Sequence, residues 1–219
     1  MKVAVFGDIH GNLPALEIML KDAGKVDAYI CLGDIVDYGP WSNECVERIT
    51  SLKHCTVIMG NHERYFSSGK YGGKNKLVEI FFNICISGFR KYDLISNFQE
   101  RYILGDYLFV HTIADKVIYP DSKIDLDGNY VIGHSHHQFI LKQGPYTLYN
   151  AGSVGQNRMY VDVINYLIYY PEVNKFELRN ITYNENLVID EMKARKYPQV
   201  CIDYYNSKKR KLRPHPIIT

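Results

Sequence analysis

VAVFGDIHGN, residues 3–12, decides how this chain is read. Val3 to Phe6 is an apolar run closed by Gly7, the pattern of a strand buried on both faces in a parallel sheet, and it runs straight into Asp8 and His10. Pro14 to Ala23 follows with Leu16, Met19 and Leu20 at helical spacing and Pro14 in the first turn. The pattern repeats with Ala28 to Leu32 as a strand that ends in Gly33-Asp34, Asn43 to Leu52 as a helix, and Thr56 to Met59 as a strand that ends in Gly60-Asn61-His62. The opening 60 residues therefore predict β-α-β-α-β with right-handed connections. In such a sheet the carboxyl ends of the strands line one crevice, so three polar clusters far apart in sequence meet in space.

Farther along, Ser67 to Lys76 (SSGKYGGKNK) reads as a surface loop, with a phosphate-contacting lid as the sharper alternative, before a helix over Leu77 to Phe89. Short strands are predicted at Tyr107–Val110, Tyr130–Ile132, Phe139–Leu141, Thr147–Tyr149, Tyr166–Tyr170 and Lys175–Arg179, and this second half is expected to build another sheet. Asn186 to Arg195 has the pattern of an amphipathic helix, and the basic tail KKRKLRP, Lys208 to Pro214, reads as a solvated end rather than a nucleic-acid arm.

The 219 residues, 46% hydrophobic and 23% charged, suit one domain spanning the chain, its C-terminal helix and tail beginning near residue 185. A formal charge of +2 argues against a stable nucleic-acid complex held by the overall field. Cys31, Cys45, Cys55, Cys85 and Cys201 are odd in number and widely spaced, which indicates neither a disulfide framework nor a zinc knuckle. With no leader-like start and no run of 18 apolar residues, the expectation is a cytoplasmic protein with no membrane partner. The tyrosine-rich second half offers apolar surface for a homo-oligomer.

Two more clusters follow predicted strands, Val110-His111 and Gly133-His134-Ser135-His136, so that five of the eight histidines sit at strand ends. A lone Asp-x-His means little; five clusters do not arise that way. Imidazole, carboxylate and amide oxygen without thiolate suit manganese, iron, nickel, cobalt or zinc rather than copper(I) or an iron-sulfur cluster. Asp8, His10, Asp34, Asn61, His111, His134 and His136 exceed the ligand count of one closed site, and a carboxylate such as Asp34 can bridge two divalent ions.

GDIHGN, GDIVDYGP, GNHE, the later VH and GHSH, in that order over residues 7–136, resemble the calcineurin-like metallophosphoesterase superfamily. The resemblance implies an α/β fold of two mixed β-sheets packed as a sandwich and flanked by helices. It also implies one metal on Asp8, His10 and His136, a second on Asn61, His111 and His134, and Asp34 as the bridge, with manganese ahead of iron, nickel, cobalt or zinc. NAGSVGQNR, Asn150 to Arg158, further resembles small prokaryotic phosphodiesterase-like members.

The expected activity is hydrolysis of a small phosphate ester, a diester first, by in-line attack of a hydroxide that two cations generate near neutral pH. The alternatives are a phosphomonoesterase or nucleotide phosphatase of the same superfamily, or a non-catalytic scaffold such as the small retromer subunit. By resemblance His62 protonates the leaving alkoxide or pairs with the phosphate charge, and Asp37 orients it through a hydrogen bond; the plainer reading of Asp37 is an exposed turn residue in VDYGP. Asn12 and Arg64 are the candidate substrate contacts, although a salt-bridged or exposed arginine is the commoner role for a residue such as Arg64. Tyr38 stands where phosphoprotein phosphatases carry a phosphate-gripping Arg, which argues against that activity, and Thr112 replaces the Gly that often follows the ligand His. AGSVG reads as a tight loop near the site, not a nucleophile elbow, because Ala151 stands where the first Gly belongs.

Overall fold

The computed structural model describes residues 1–211, so the end of the basic tail, from 212 on, and His215 lie outside the described residues. In chain order the elements are β1 (Val3–Phe6), α1 (Leu13–Ala23), β2 (Ala28–Cys31), α2 (Ser42–Thr50), β3 (Cys55–Val57), α3 (Asn61–Ser68), α4 (Lys76–Ser87), α5 (Tyr92–Ile95), β4 (Arg101–Leu104), β5 (Tyr107–Val110), β6 (Asn129–Ile132), β7 (Gln138–Gln143), β8 (Tyr146–Ala151), β9 (Val163–Tyr170), β10 (Lys175–Thr182), α6 (Asn186–Ala194) and α7 (Gln199–Asn206).

Two five-stranded mixed sheets result, ordered β10-β9-β1-β2-β3 and β4-β5-β6-β8-β7. β1, β2 and β3 run parallel, with Val5 beside Ile30 and Cys31 beside Val57, as the opening β-α-β-α-β pattern requires. Alternation along each strand splits the core. Val3 and Val5 face the second sheet, where they pack with Ile30, Leu32, Phe109, Val131, Leu167 and Tyr169. Ala4 and Phe6 face the helices, where they pack with Leu16 and Met19 of α1, Phe81 of α4, Met192 of α6 and Tyr205 of α7. A smaller cluster of Ile118, Leu126, Ile132, Phe139 and Leu148 lies apart from both.

One expectation is corrected. The segment Tyr166–Arg179 does not join the second-half sheet; β9 and β10 return to pair antiparallel beside β1. The reason lies in the sequence VINYLIYY, seven of whose eight residues are buried. A strand apolar on both faces needs cover on both, and only the first sheet, with helices on one side and a sheet on the other, supplies it. Phe176 of β10 stacks on Tyr169 and Tyr149 at centroid distances of 4.1 and 4.2 Å, which ties the edge strand β10 of the first sheet to β8 of the second.

The SSGKYGGKNK segment is shorter as a loop than expected, because α3 runs to Ser68 before a left-handed Gly69 ends it. Tyr71 then packs edge-on to Tyr65. The start of the basic tail is held rather than free: Lys209 O accepts from Val161 N, Lys211 N donates to Asp162 Oδ1, and Arg210 pairs with Glu185 at 2.6 Å. Among the described residues no helix is long and apolar enough to cross a membrane.

Candidate metal centre

Three of the five strand-end clusters turn sharply as they leave their sheets. Asp8, His10, Asp34, His134 and His136, five of the seven predicted ligands, adopt positive φ between 49° and 68°. Non-glycine residues occupy this region at a cost of roughly 1 kcal/mol each, least for Asp and Asn. The surrounding bonds hold them there. His10 N donates to Asp34 O and Asp8 N to Gly33 O, which laces the first cluster to the second. His134 N donates to the Asp8 carboxylate at 3.0 Å, and Asn150 Nδ2 donates to Gly133 O at 2.8 Å, which fixes the GHSH turn. Gly60 and Gly133 are among the glycines with no room for a side chain: a Cβ at Gly60 would lie 2.2 Å from Asp34 Oδ1, and one at Gly133 would lie 2.5 Å from Asp8 Oδ2.

The ligand atoms fall into two groups that share Asp34. Asp8, His10, Asp34 and His136 form one and Asp34, His111 and His134 the other, with the donor atoms of each group within 4.8 Å of one another. Asn61 Oδ1 joins the second at 3.0 Å from His111 Nε2. His10, His111 and His136 each donate Nδ1 to a backbone carbonyl, of Val36, Leu32 and Gln156 at 3.1, 2.8 and 2.7 Å, so each Nε2 points inward.

This donor set fits a cation. His10 Nε2 and His136 Nε2 stand 3.1 Å apart with both Nδ1 protons already spent, so two lone pairs face each other. Burial holds both imidazoles well below their ordinary pKa, and for His10 the neighbouring His136 adds to it; both are neutral and ready to ligate. In the second group burial acts to lower the His111 pKa, yet Asp34 outweighs it and pushes the imidazolium up to about 10. A proton on His111, 3.3 Å from Asp34 Oδ2, occupies the place a cation would take. Asp34, for which burial alone would raise the pKa, is held well below the carboxylate range by His111 and His62.

His62 and Asp37 stand beside these groups. Asp37 is fully buried rather than exposed in its turn, and its Oδ2 accepts from His62 Nδ1 at 2.8 Å. His62 Nε2 thus points toward Asp34 Oδ2, 4.0 Å away. Burial works against the charged ring, but Asp34 and the Asp37 hydrogen bond carry its pKa up to about 9.

The two candidate substrate contacts differ in their settings. Asn12 is fully buried: its Oδ1 caps α1 at Ala15 N, and its Nδ2 donates to Gly155 O and Tyr183 Oη. Arg64 lines a cleft of about 740 Å³ beside Asn61, His111, Thr112 and His134, but both arms of its guanidinium are engaged by Glu100. AGSVG is a tight loop against the first cluster, with Ser153 Oγ donating to Asp8 O at 2.7 Å.

Glu63, the last residue of GNHE, escaped the sequence reading. It is fully buried at the third position of α3, where Oε2 accepts from Asp34 N (2.8 Å) and Gly60 N (3.0 Å) and Oε1 from Ile35 N (2.7 Å) and Val36 N (3.1 Å). One carboxylate thereby joins the second and third clusters. The available signal was a Glu three residues after a helix-starting Gly, half of a capping box.

A family model described as calcineurin-like phosphoesterase matches residues 1–138. An uncharacterized protein of Methanocaldococcus jannaschii is 29% identical over 231 residues, covering 90% of this chain and 94% of that one. The serine/threonine-protein phosphatase 6 catalytic subunit of Drosophila melanogaster is 32% identical over 123 residues, 53% of this chain but 37% of the phosphatase. Among solved structures, a metallophosphoesterase from Sphaerobacter thermophilus superposes with a TM-score of 0.77 at 24% identity, covering 94% and 98% of the two chains. A hypothetical protein from Pyrococcus horikoshii reaches 0.80 at 17%, covering 93% and 97%. The two mixed sheets flanked by helices are the fold these structures share.

Proposed function

The chain belongs to the calcineurin-like phosphoesterase family, and from that membership we propose that it is a dinuclear metal-dependent hydrolase of small phosphodiesters. The observation that carries this reading is the pair of ligand groups sharing Asp34, with His62 beside them. Two divalent cations, manganese by first expectation, would supply neutralisation of the phosphoryl oxygens and acidification of a water.

The chain's own residues do the rest. Asp8, His10 and His136 would hold one ion, Asn61, His111 and His134 the other, and Asp34 both. The water oxygen, its proton released to solvent, would form its bond to phosphorus as the ester oxygen departs on the opposite side, and His62 would deliver the Nε2 proton to that oxygen. Asp37 keeps the ring in the tautomer that presents Nε2, a positioning role through the 2.8 Å hydrogen bond. Diester over monoester is supported by the cleft: Arg64, the one guanidinium among its described lining residues, is already neutralised by Glu100, and Asp115 adds an anionic rim, so the outer walls suit an uncharged ester arm better than a dianion.

The test is hydrolysis of an aryl phosphodiester and its matching monoester by chelator-stripped protein before and after manganese, with Asp34→Asn as control. Expected is manganese-restored turnover of the diester that disappears in the variant. No turnover with any of the five metals would overturn the reading; a preference for the monoester would overturn its diester part.

A further inference from the structure

Tyr38 leaves a gap in the charge balance of the site. It is buried, its ring 4.8 Å from that of His10 and 5.6 Å from that of His62, and it brings no charge to a place built around phosphate. The cation comes from another element. Arg158, which ends NAGSVGQNR, lies against the Tyr38 hydroxyl and donates Nη1 to the Tyr204 hydroxyl of α7. Tyr204 in turn donates to Gln156 Oε1 at 3.1 Å, and Gln156 O is the carbonyl that anchors His136. One connected set of bonds therefore fixes both a candidate ligand and a guanidinium.

Five of the other seven described arginines, Arg48, Arg64, Arg179, Arg195 and Arg210, are held by an acid, while Arg90 is held by the Ser87 and Phe89 carbonyls. Among the described residues no carboxylate pairs with Arg158, although it is part-buried. Two neutral phenols accept from a group with five N–H donors, which leaves donors for an anion. Lys208 Nζ sits 4.1 Å over the ring of Tyr204, so a second cation adjoins the same support.

We propose that Arg158, braced by the Tyr38 and Tyr204 hydroxyls, binds the non-bridging phosphoryl oxygens of the substrate. The inference rests on the phosphoesterase reading above. Arg158 would be the contact and the two tyrosines positioning residues, so the C-terminal helix becomes part of the specificity of a site whose candidate ligands all precede residue 137. A planar fork suits two phosphoryl oxygens at once, which a lysine in the same place cannot match.

The experiment uses the manganese-loaded protein and measures inorganic phosphate binding by calorimetry, metal content by atomic emission, and steady-state kinetics on the aryl diester. For Arg158→Gln the expected result is parental metal content, phosphate binding weaker by more than about tenfold, and kcat/KM lower by roughly 100-fold. Arg158→Lys should recover only part of either loss, and it carries the test if the Gln variant fails to fold. Tyr38→Phe and Tyr204→Phe, which keep their rings, should weaken phosphate binding by about threefold at unchanged melting temperature. Unchanged phosphate affinity in Arg158→Gln, or a parent that takes up no phosphate, overturns the proposal. A parent without turnover counts against the phosphodiesterase reading alone, and the phosphate titration then decides the role of Arg158.

Discussion

Glu63→Gln should show how much of the centre depends on one buried carboxylate. The side chain keeps its length and volume, but one of its two oxygens becomes an amide NH2. Whichever way the amide turns, two of the four backbone N–H groups, either those of Asp34 and Gly60 or those of Ile35 and Val36, lose an acceptor and face a donor instead. An orphaned buried donor costs about 1–3 kcal/mol, so the variant should lose roughly 2–6 kcal/mol. For a chain of this size that corresponds to a fall in melting temperature on the order of 10 °C. Manganese affinity should fall with it, because the Asp34 turn and the Gly60 approach both hang on those bonds. Thermal unfolding followed by circular dichroism, with and without manganese, gives the first number and a competition titration against a chelating dye gives the second. A variant melting within about 1 °C of the parent and binding manganese equally would refute the accounting.

Other outcomes follow from the same geometry. In the metal-loaded enzyme, activity requires protonated His62 and so declines as pH rises through its pKa; Asp37→Asn removes one of the partners that raise that pKa, so the alkaline limb of the pH–rate profile should move to lower pH, and a limb that stays in place would separate Asp37 from the proton. Gly60→Ala drives a methyl into Asp34, and the expected cost of roughly 1–3 kcal/mol in urea unfolding should come with loss of bound manganese; a stable, fully loaded variant would mean the turn yields more easily than its contacts suggest. Because lone pairs face one another across the first ligand group, manganese at 100 times its dissociation constant should stabilise the stripped protein by about 2.7 kcal/mol, and a melting temperature indifferent to manganese would remove the centre from consideration.

Much of this was visible in the chain, for a definite reason. VAVF, AYIC and the run ending at Met59 are short, apolar and closed by glycine, so both the strands and the clusters at their ends could be read, and the parallel order follows from the intervening helices. What escaped depends on partners distant in sequence. Nothing in RYIL distinguishes an edge strand from a loop, and VINYLIYY announces a strand covered on both faces without naming β1 as its neighbour. α3 was hidden because its first residues, Asn61 and His62, were read for their chemistry rather than as the opening of a helix. Glu63 and Arg158 escaped for the same reason: what each does depends on backbone or tyrosine hydroxyls contributed by segments that only the fold brings near.

The left-handed backbone at Asp8, His10, Asp34, His134 and His136 bears on how such a chain can change over generations. Each of these positions is tolerated as a non-glycine only while its side chain has a job, because glycine would occupy the same turn with less strain. A descendant released from binding ions should therefore drift first at these five sites, toward glycine or asparagine, and gain stability as it does so. Asn61 and His111, in ordinary backbone, would feel no such pull and should linger as relics. Decay of the centre would thus leave an ordered signature, readable in sequence, that distinguishes a retired hydrolase from one still under selection.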